Sequence, residues 1–168
     1  MSVFHPDFYF KRVFNITPAW LRAQKISVLL LDVDNTLTTH DNPEVEAAVC
    51  DWIAKMNAAG IKLLIISNNK PERVKPFSDK LGLGCIAHAR KPLSGGVKRA
   101  MKRLGVTKGG IAIVGDQIFT DVLCANLAGV TSILVEPIEL ESFPFFKMKR
   151  RMEKIILKNY SKGEDRWQ

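Results

Sequence analysis

Two aspartates stand at the end of an apolar run near the start of the chain. Val28 to Leu31 are four apolar residues, and Asp32 and Asp34 follow closely. In an extended segment the side chains at positions i and i+2 point to the same face, so both carboxylates are expected to project into one crevice. Buried carboxylates are costly unless something compensates their charge. The spacing therefore indicates chemistry at the tip of this strand.

Short apolar runs alternate with amphipathic windows along the chain. The pattern predicts strands over 26–31, 61–66, 85–87, 111–114 and 130–135, and helices over 43–59, 72–81, 94–104 and 120–128. Glycines at 60, 82, 105 and 129 stand where these helices should stop. Strands that alternate with helices are typical of an α/β fold. We predict a three-layer, doubly wound, Rossmann-like domain with a mainly parallel sheet.

The length of 168 residues and a hydrophobic content of 46% suit one globular domain. We predict a single domain over 1–168, with its core at about 24–136, a lead-in at 1–23 and a basic amphipathic segment at 143–162. The formal charge of +8 favours a partner that carries phosphate, such as an anionic membrane, a nucleic acid or a phosphorylated small molecule. The oligomeric state is left open.

The three cysteines are widely spaced and form no CxxC motif, which disfavours a disulfide framework and a zinc site. No apolar stretch reaches the roughly 18 residues that a membrane-spanning helix needs, and charges and a proline interrupt the N-terminus before a signal-peptide core could form. We expect a cytoplasmic protein, peripheral at the inner face of the membrane.

Polar residues cluster just beyond the predicted strands, and the carboxyl ends of parallel strands are where ligands bind in such sheets. The residues at these positions are Asp32, Asp34, Thr36, Ser67, Asn68, Lys91, Asp116 and Asp121. Because parallel strands end at one edge, all of them are expected along a single rim of the sheet.

The aspartates at this rim would repel one another. Two unit charges 4 Å apart repel by about 4 kcal/mol at an effective dielectric constant of about 20. A hard divalent cation with oxygen ligands, Mg²⁺ above all, would relieve that repulsion and leave room for a phosphate oxygen. One carboxylate could then attack phosphorus, and a second could protonate the leaving oxygen and later activate water. The residues thus predict phosphoryl transfer through a covalent intermediate.

Four segments resemble, in order, the motifs of haloacid dehalogenase-like (HAD) phosphatases. They are Asp32-Val-Asp-Asn-Thr-Leu, Ser67-Asn-Asn, Lys91-Pro and Gly115-Asp-Gln-Ile-Phe-Thr-Asp121. The resemblance implies that Asp32 is the nucleophile and that Asp34 is the general acid and base. It also implies that Ser67, the backbone amide of Asn68 and Lys91 bind phosphate, and that Thr36 supports the site.

The same resemblance implies a Mg²⁺ site. Asp32 and Asp116 would bind the ion through their carboxylates, and Asp34 would bind it through its backbone carbonyl. Asp121 would bind or orient the ion.

Many HAD enzymes select their substrate with a cap domain inserted after the first or second motif. Here residues 37–66 and 68–90 have room only for a helix and a strand each, so we predict an uncapped, open cleft. An open cleft suits a phosphate mounted on something large.

The C-terminal segment could bind such a large partner, for example a membrane. Apolar residues recur at helical spacing from Phe145 to Tyr160, and lysines and arginines occupy most remaining positions. A basic amphipathic helix is a plausible membrane-surface element. A terminal helix packed on its own domain, with a solvated basic face, is the alternative, and the aromatic N-terminus could pack beside it or touch lipid.

The run from Ser67 to Val74, the fourth motif and the lead-in Pro18-Ala-Trp-Leu resemble the YqeG-type, subfamily IIIA HAD phosphatases, a group that includes phosphatidylglycerophosphate phosphatases. The resemblance implies that the chain dephosphorylates phosphatidylglycerophosphate to phosphatidylglycerol. Nucleic-acid ends, a phosphoprotein or a sugar phosphate are alternative substrates. A phospho-receiver domain and a non-catalytic basic binding module are alternatives of another class.

Overall fold

The computed structural model describes residues 3–40, 42–139 and 144–160, and its centre is a six-stranded sheet. The strands are β1 (Phe8–Phe10), β2 (Val28–Leu31), β3 (Lys62–Ile66), β4 (Gly84–Ile86), β5 (Ile111–Gly115) and β6 (Thr131–Val135). They lie in the order β1-β6-β5-β2-β3-β4, and every neighbouring pair is parallel. The predicted α/β fold class is confirmed, with a sheet that is parallel throughout.

Helices connect the strands and cover both faces of the sheet. They are α1 (Pro18–Ala23), α2 (Ala47–Ala58), α3 (Pro71–Lys80), α4 (Gly95–Leu104), α5 (Leu123–Ala128) and α6 (Pro144–Tyr160). Short 3₁₀ turns occur at Val13–Asn15 and Lys108–Gly110, and a π-helical turn at Ile118–Val122 leads into α5. Gly105 and Gly129 end α4 and α5 with φ angles of 64° and 70°, a conformation that favours glycine.

The sheet is sandwiched between two apolar layers because successive strand residues face opposite sides. Leu29 and Leu31 of β2 pack in the layer that contains α2 and α3, whereas Val28 and Leu30 pack in the layer that contains α4 and α5. All four are at most 1% exposed. A strand buried on both faces must be apolar at every position, which explains the uninterrupted run in the sequence.

The register of the central strands defines the functional edge. Leu31, the last residue of β2, is aligned with Ile65 of β3 and with Val114 of β5. The residues that follow these three strands therefore emerge at the same level and on the same side of the sheet. This edge is the rim along which the predicted site residues are expected to lie.

Two predicted helices begin later than expected. The helix predicted from residue 43 starts at Ala47, because the Thr38 hydroxyl lies within hydrogen-bond distance of the carbonyls of Asn42 and Glu44, to which it can donate its one proton, and Glu46 is not helical. The helix predicted from residue 120 is preceded by the π-helical turn, so α5 itself starts at Leu123.

The N-terminal lead-in contains a strand and a helix that the sequence interpretation missed. Strand β1 pairs with β6, with Tyr9 aligned to Leu134. Phe8 and Phe10 both meet the ring of Trp20 in α1 edge to face, with centroid distances of 4.7 and 4.9 Å. These ring contacts hold β1 against α1 within the lead-in, and the pairing with β6 fastens the lead-in to the rest of the domain.

The predicted C-terminal helix is present as α6; positions 143, 161 and 162 of the predicted segment lie outside the described residues. One face of α6 packs on the domain, where Ile156 and Leu157 contact a cluster that contains Ile118, Val122 and Leu134. In the described ranges, no helix combines the length and apolarity required to cross a membrane.

Candidate active site

Three carboxylates meet at the carboxyl edge of the sheet. Asp32 follows β2, Asp116 follows β5, and Asp121 lies in the π-helical turn after β5. One oxygen from each lies within 4.8 Å of the other two, and all three residues are buried. The sequence predicted that Asp32, Asp34 and Asp116 would crowd one small volume; in the structure the group of three consists of Asp32, Asp116 and Asp121.

A buried lysine is bound to two of these carboxylates. Lys91 Nζ lies 2.5 Å from Asp32 Oδ1 and 2.5 Å from Asp121 Oδ1, and its side chain is only 3% exposed. Burial acts to lower the pKa of Lys91, but the charges of Asp121 and Asp32 outweigh burial and raise it above its usual value. Lys91 therefore remains an ammonium ion and can neutralise negative charge at this point.

Burial also changes the titration of Asp32. Removal from water raises the pKa of Asp32 to about 7; Lys91 opposes this rise, and Asp121 and Asp34 add to it. A nucleophilic carboxylate must be ionised, and a cation nearby would favour the ionised form. The site thus holds Asp32 in an environment where an additional positive charge assists its reactivity.

The cluster fits a hard divalent cation. The three carboxylates supply oxygen ligands, and together with the single ammonium of Lys91 they leave a formal charge of −2. Thr36 lies in the loop beside them, and within the described part of the chain its buried Oγ has no hydrogen-bond partner. Both the residual charge and this hydroxyl are consistent with a site that accommodates a cation and a phosphate oxygen.

Asp121 is held by its own loop. Its second carboxylate oxygen accepts a hydrogen bond from the Gln117 amide at 3.2 Å, because the π-helical turn brings residue 121 back over the start of the loop. A Cβ added to Gly115 would lie 2.2 Å from Asp121 Cγ. Glycine is therefore required at the end of β5 for Asp121 to reach the cluster.

Asp34 lies outside the carboxylate cluster. Asn69 Nδ2 donates to one of its oxygens at 2.7 Å, Arg73 donates to the other at 2.5 Å, and His40 Nδ1 is 3.6 Å away. The expectation that Asp32 and Asp34 share a face assumed an extended backbone. Strand β2 ends at Leu31, but the Asp34 carboxylate stays near enough to Asp32 to add to the rise of the Asp32 pKa, so a crevice shared by the two remains a prediction.

Arg73 was missed by the sequence interpretation. It lies in the first turn of α3, whereas Asn69 precedes the helix, so the four-residue spacing gave no helical signal that both side chains reach the same carboxylate. The structure places the Asp34 carboxylate between these two donors. Its orientation is therefore fixed before a substrate binds.

Asn68 positions Lys91. Its Nδ2 donates to the Lys91 carbonyl at 3.0 Å, and its Oδ1 accepts from the Lys91 amide at 2.7 Å. The side chain thus holds the lysine main chain, which leaves only the main chain of Asn68 for the predicted contact with phosphate. Ser67 is buried next to it, and its Oγ accepts from the Asn69 amide at 3.1 Å.

Helix α6 supports the loop that carries Asp116. The buried carboxylate of Glu153 accepts a hydrogen bond from the Ile118 amide at 2.9 Å, and Lys149 donates to the side chain of Gln117. The sequence interpretation missed Glu153. A signal was available, because Glu153 is the one acid of α6 and lies on the same helical face as Ile156.

A cleft of about 520 Å³ opens beside the site. Its lining combines polar residues of the β3 loop with apolar and cationic residues from α3 and neighbouring loops, among them Ser67, Asn69, Val33, Phe77, Arg73 and Lys80. Glu72 also lines the cleft, and Arg73 and Lys80 are paired with Asp34 and Glu44, so the lining offers apolar surface and cations that already have acidic partners.

The sequence model of the family described as mitochondrial PGP phosphatase matches residues 1–139. The Bacillus subtilis protein named probable phosphatase YqeG is 36% identical over 98% of this chain and 96% of its own length.

Phosphatidylglycerophosphate phosphatase 1 of Arabidopsis thaliana, a chloroplastic and mitochondrial protein, is 25% identical, and the match covers 83% of this chain and 43% of that protein. A solved structure from Streptomyces avermitilis assigned to the HAD hydrolases is 21% identical, with a TM-score of 0.55, covering 67% of this chain and 68% of that one. The structural match shows the fold, and the sequence matches favour a phosphatase over a receiver domain or a non-catalytic module.

Proposed function

The chain belongs to the mitochondrial PGP phosphatase family, so it is a phosphatase, and we propose that it removes the terminal phosphate of phosphatidylglycerophosphate in a Mg²⁺-dependent reaction. The observation that carries the proposal is the position of Lys91, 2.5 Å from both Asp32 and Asp121 in a buried cluster of carboxylates. This arrangement provides a nucleophile, a charge that can neutralise phosphate, and a set of oxygen ligands.

In the first half of the reaction the Asp32 carboxylate attacks the terminal phosphorus. The bond between phosphorus and the glycerol oxygen breaks as the aspartyl-phosphate forms, and Asp34 donates a proton to the departing oxygen. Lys91 and the groups around Ser67 stabilise the negative charge on the phosphoryl oxygens. Phosphatidylglycerol leaves with its hydroxyl restored.

In the second half water hydrolyses the aspartyl-phosphate. Asp34 accepts a proton from the water molecule, whose oxygen attacks phosphorus, and the bond to Asp32 breaks to release inorganic phosphate. Asn69 and Arg73 hold Asp34 in one orientation for both proton transfers.

Asp32 and Asp116 would hold Mg²⁺ through their carboxylates, with Asp34 contributing its backbone carbonyl and Asp121 binding or orienting the ion. The ion supplies electrostatic stabilisation of the transferring phosphoryl group. The all-oxygen ligand set is the reason for choosing Mg²⁺ among divalent cations.

A lipid substrate is supported by the open cleft and by the comparisons. Among the residues that the structure describes, α2 with β3 and α3 with β4 are the only elements between the first three motifs, which leaves no room there for a cap domain. The cleft beside Ser67 offers both apolar and cationic side chains, and the Arabidopsis relative is named for this lipid. Phosphatidylglycerophosphate combines a second phosphate with acyl chains, which suits such a lining.

The test is a phosphate-release assay that compares phosphatidylglycerophosphate in mixed micelles with a soluble aryl phosphate, a sugar phosphate and a 3′-phosphorylated oligonucleotide. We expect the lipid to be hydrolysed with the highest kcat/KM, only with Mg²⁺ present, and Asp32→Asn to abolish release from every ester. Preference for the oligonucleotide would overturn the substrate assignment. Retained activity in Asp32→Asn would overturn the nucleophile assignment.

A further inference from the structure

Helix α6 exposes two stripes of side chains that differ in chemistry. Met148, Met152 and Ile155 form one stripe, and they are 57%, 50% and 57% exposed. Their spacing of four and three residues places them on one side of the helix, since each residue advances about 100° around the axis. Exposed methionine and isoleucine in a row form an apolar strip on the surface of the protein.

A basic stripe runs beside the apolar one. Lys147, Arg151 and Lys154 are exposed and repeat at the same spacing of four and three residues. At about 100° per residue, this stripe lies roughly a quarter turn from the apolar stripe. The third face, which contains Glu153, Ile156 and Leu157, packs on the domain. The helix is therefore anchored to the protein while it presents an apolar and a basic surface outward.

The anchoring contacts place α6 at the catalytic edge. Glu153 binds the amide of Ile118 and Lys149 binds the side chain of Gln117, the residue that follows Asp116. The outer face of α6 is thus separated from the loop that carries Asp116 by about one helix diameter, roughly 10 Å.

We propose that the apolar and basic stripes of α6 form a docking surface for an anionic lipid bilayer. The apolar stripe would enter the boundary between head groups and acyl chains, and the basic stripe would pair with lipid phosphates. Long basic side chains next to an apolar strip can keep their charges at the head groups while their stems cover apolar surface. The basic stripe complements anionic head groups, and the adjacent apolar stripe can be buried among acyl chains. Together they favour a lipid surface as the partner.

The same observations disfavour two other occupants. A nucleic acid would pair with the basic stripe, but its phosphate backbone offers nothing to bury an exposed row of methionine and isoleucine. A second copy of this chain could cover the apolar stripe, but it would bring like-charged basic stripes towards each other.

Docking would hold the active site at the surface where a lipid phosphate is found. Its value for catalysis rests on the proposed function, whereas binding can be measured without turnover. Phosphatidylglycerol is the product of the proposed reaction and not its substrate, so vesicles that contain it report binding without turnover, and the α6 variants assign that binding to the helix.

The experiment measures binding of the full chain to vesicles of phosphatidylcholine alone and of phosphatidylcholine with about 30% phosphatidylglycerol as the anionic component. The first variant is Lys147→Gln/Arg151→Gln/Lys154→Gln, and the second is Met148→Ser/Met152→Ser/Ile155→Ser. The matched control, Lys55→Gln/Lys98→Gln/Lys102→Gln, removes three exposed cations from other helices. Thermal melting of each variant shows that the fold is intact.

We expect the wild type and the control to bind the anionic vesicles. The basic variant should bind on the order of 100-fold more weakly, because each cation near an anionic surface contributes about fivefold. The apolar variant should also lose binding. The proposal is overturned if both α6 variants bind like the wild type, if the control loses as much as the basic variant, or if duplex DNA binds more tightly than the vesicles at the same salt. Disruption of a dimer by the apolar variant, without any vesicle binding by the wild type, would identify the stripe as a self-association surface and would equally overturn it.

The two proposals fail separately. Vesicle binding without hydrolysis of phosphatidylglycerophosphate would reject the proposed substrate and leave the docking surface. Hydrolysis of phosphatidylglycerophosphate in micelles without vesicle binding would reject the docking surface and leave the proposed substrate.

Discussion

Replacing Asp32 by Asn should change the pH dependence of folding in a predictable direction. In the metal-free protein, burial raises the pKa of Asp32 from 3.8 to about 7, with Lys91 opposing and Asp121 and Asp34 adding to the rise. Because the folded-state pKa lies above the unfolded value, the folded state binds the proton more tightly. This contribution to stability is present at low pH and is lost as the pH rises from about 4 to about 7.

The size of the effect follows from the shift. A displacement of about three pKa units corresponds to about 4 kcal/mol in the free energy of unfolding. Asn has almost the same shape and no proton to lose in this range, so the variant lacks this pH-dependent loss. The stability of Asp32→Asn relative to wild type should therefore increase by about 4 kcal/mol between pH 4 and pH 8.

Urea unfolding at several pH values, with EDTA present to remove divalent cations, measures this difference. Asp51→Asn, which removes a carboxylate from the exposed side of α2, is the matched control for the loss of charge. A stability difference between Asp32→Asn and wild type that stays constant from pH 4 to pH 8 would refute the reasoning. Adding Mg²⁺ at pH 8 should then stabilise the wild type more than the variant, because only the wild type retains all three carboxylates.

Two further predictions concern the loop after β5. Gly115→Ala should reduce turnover at least 100-fold, because a Cβ there would displace Asp121. Gly109→Ala should not reduce it, because a Cβ at that position meets nothing within 4 Å. Equal activities of the two variants in the aryl phosphate assay would contradict the close-approach argument. Glu153→Ala should lower the free energy of unfolding by about 1–3 kcal/mol by leaving the Ile118 amide unsatisfied, while Glu153→Gln, which keeps an acceptor oxygen, should lose less. Denaturant midpoints decide the second prediction, and equal losses in the two variants would show that the hydrogen bond is not the cause.

The central strands and the catalytic rim could be predicted because their signals are local. Strands β2 and β5 are buried on both faces, so each is a continuous apolar run, and the parallel connections place the residues after them on one edge. Asp32 and Asp116 follow directly from that geometry. The resemblance to HAD phosphatases added their roles and those of Ser67 and Lys91.

What could not be predicted depends on contacts between distant segments. Strand β1 has only three residues, and its partner β6 lies more than a hundred residues away along the chain. The contacts of the Asp34 carboxylate come from Asn69 and Arg73, which lie 35 and 39 residues further along the chain.

Helix α6 connects the proposed docking surface with the chemistry, although it contributes none of the predicted catalytic residues. Those residues all lie within 1–139, the range that matches the family, and α6 begins at Pro144. Glu153 nevertheless holds the loop that carries Asp116 and Asp121, while the exposed stripes of the same helix face outward. The outer stripes can therefore change in sequence without altering the catalytic cluster, whereas a change at Glu153 reaches it through the hydrogen bond to the Ile118 amide. For this reason substitutions in the stripes should alter where the enzyme acts, and substitutions at Glu153 should alter how stably its site is built.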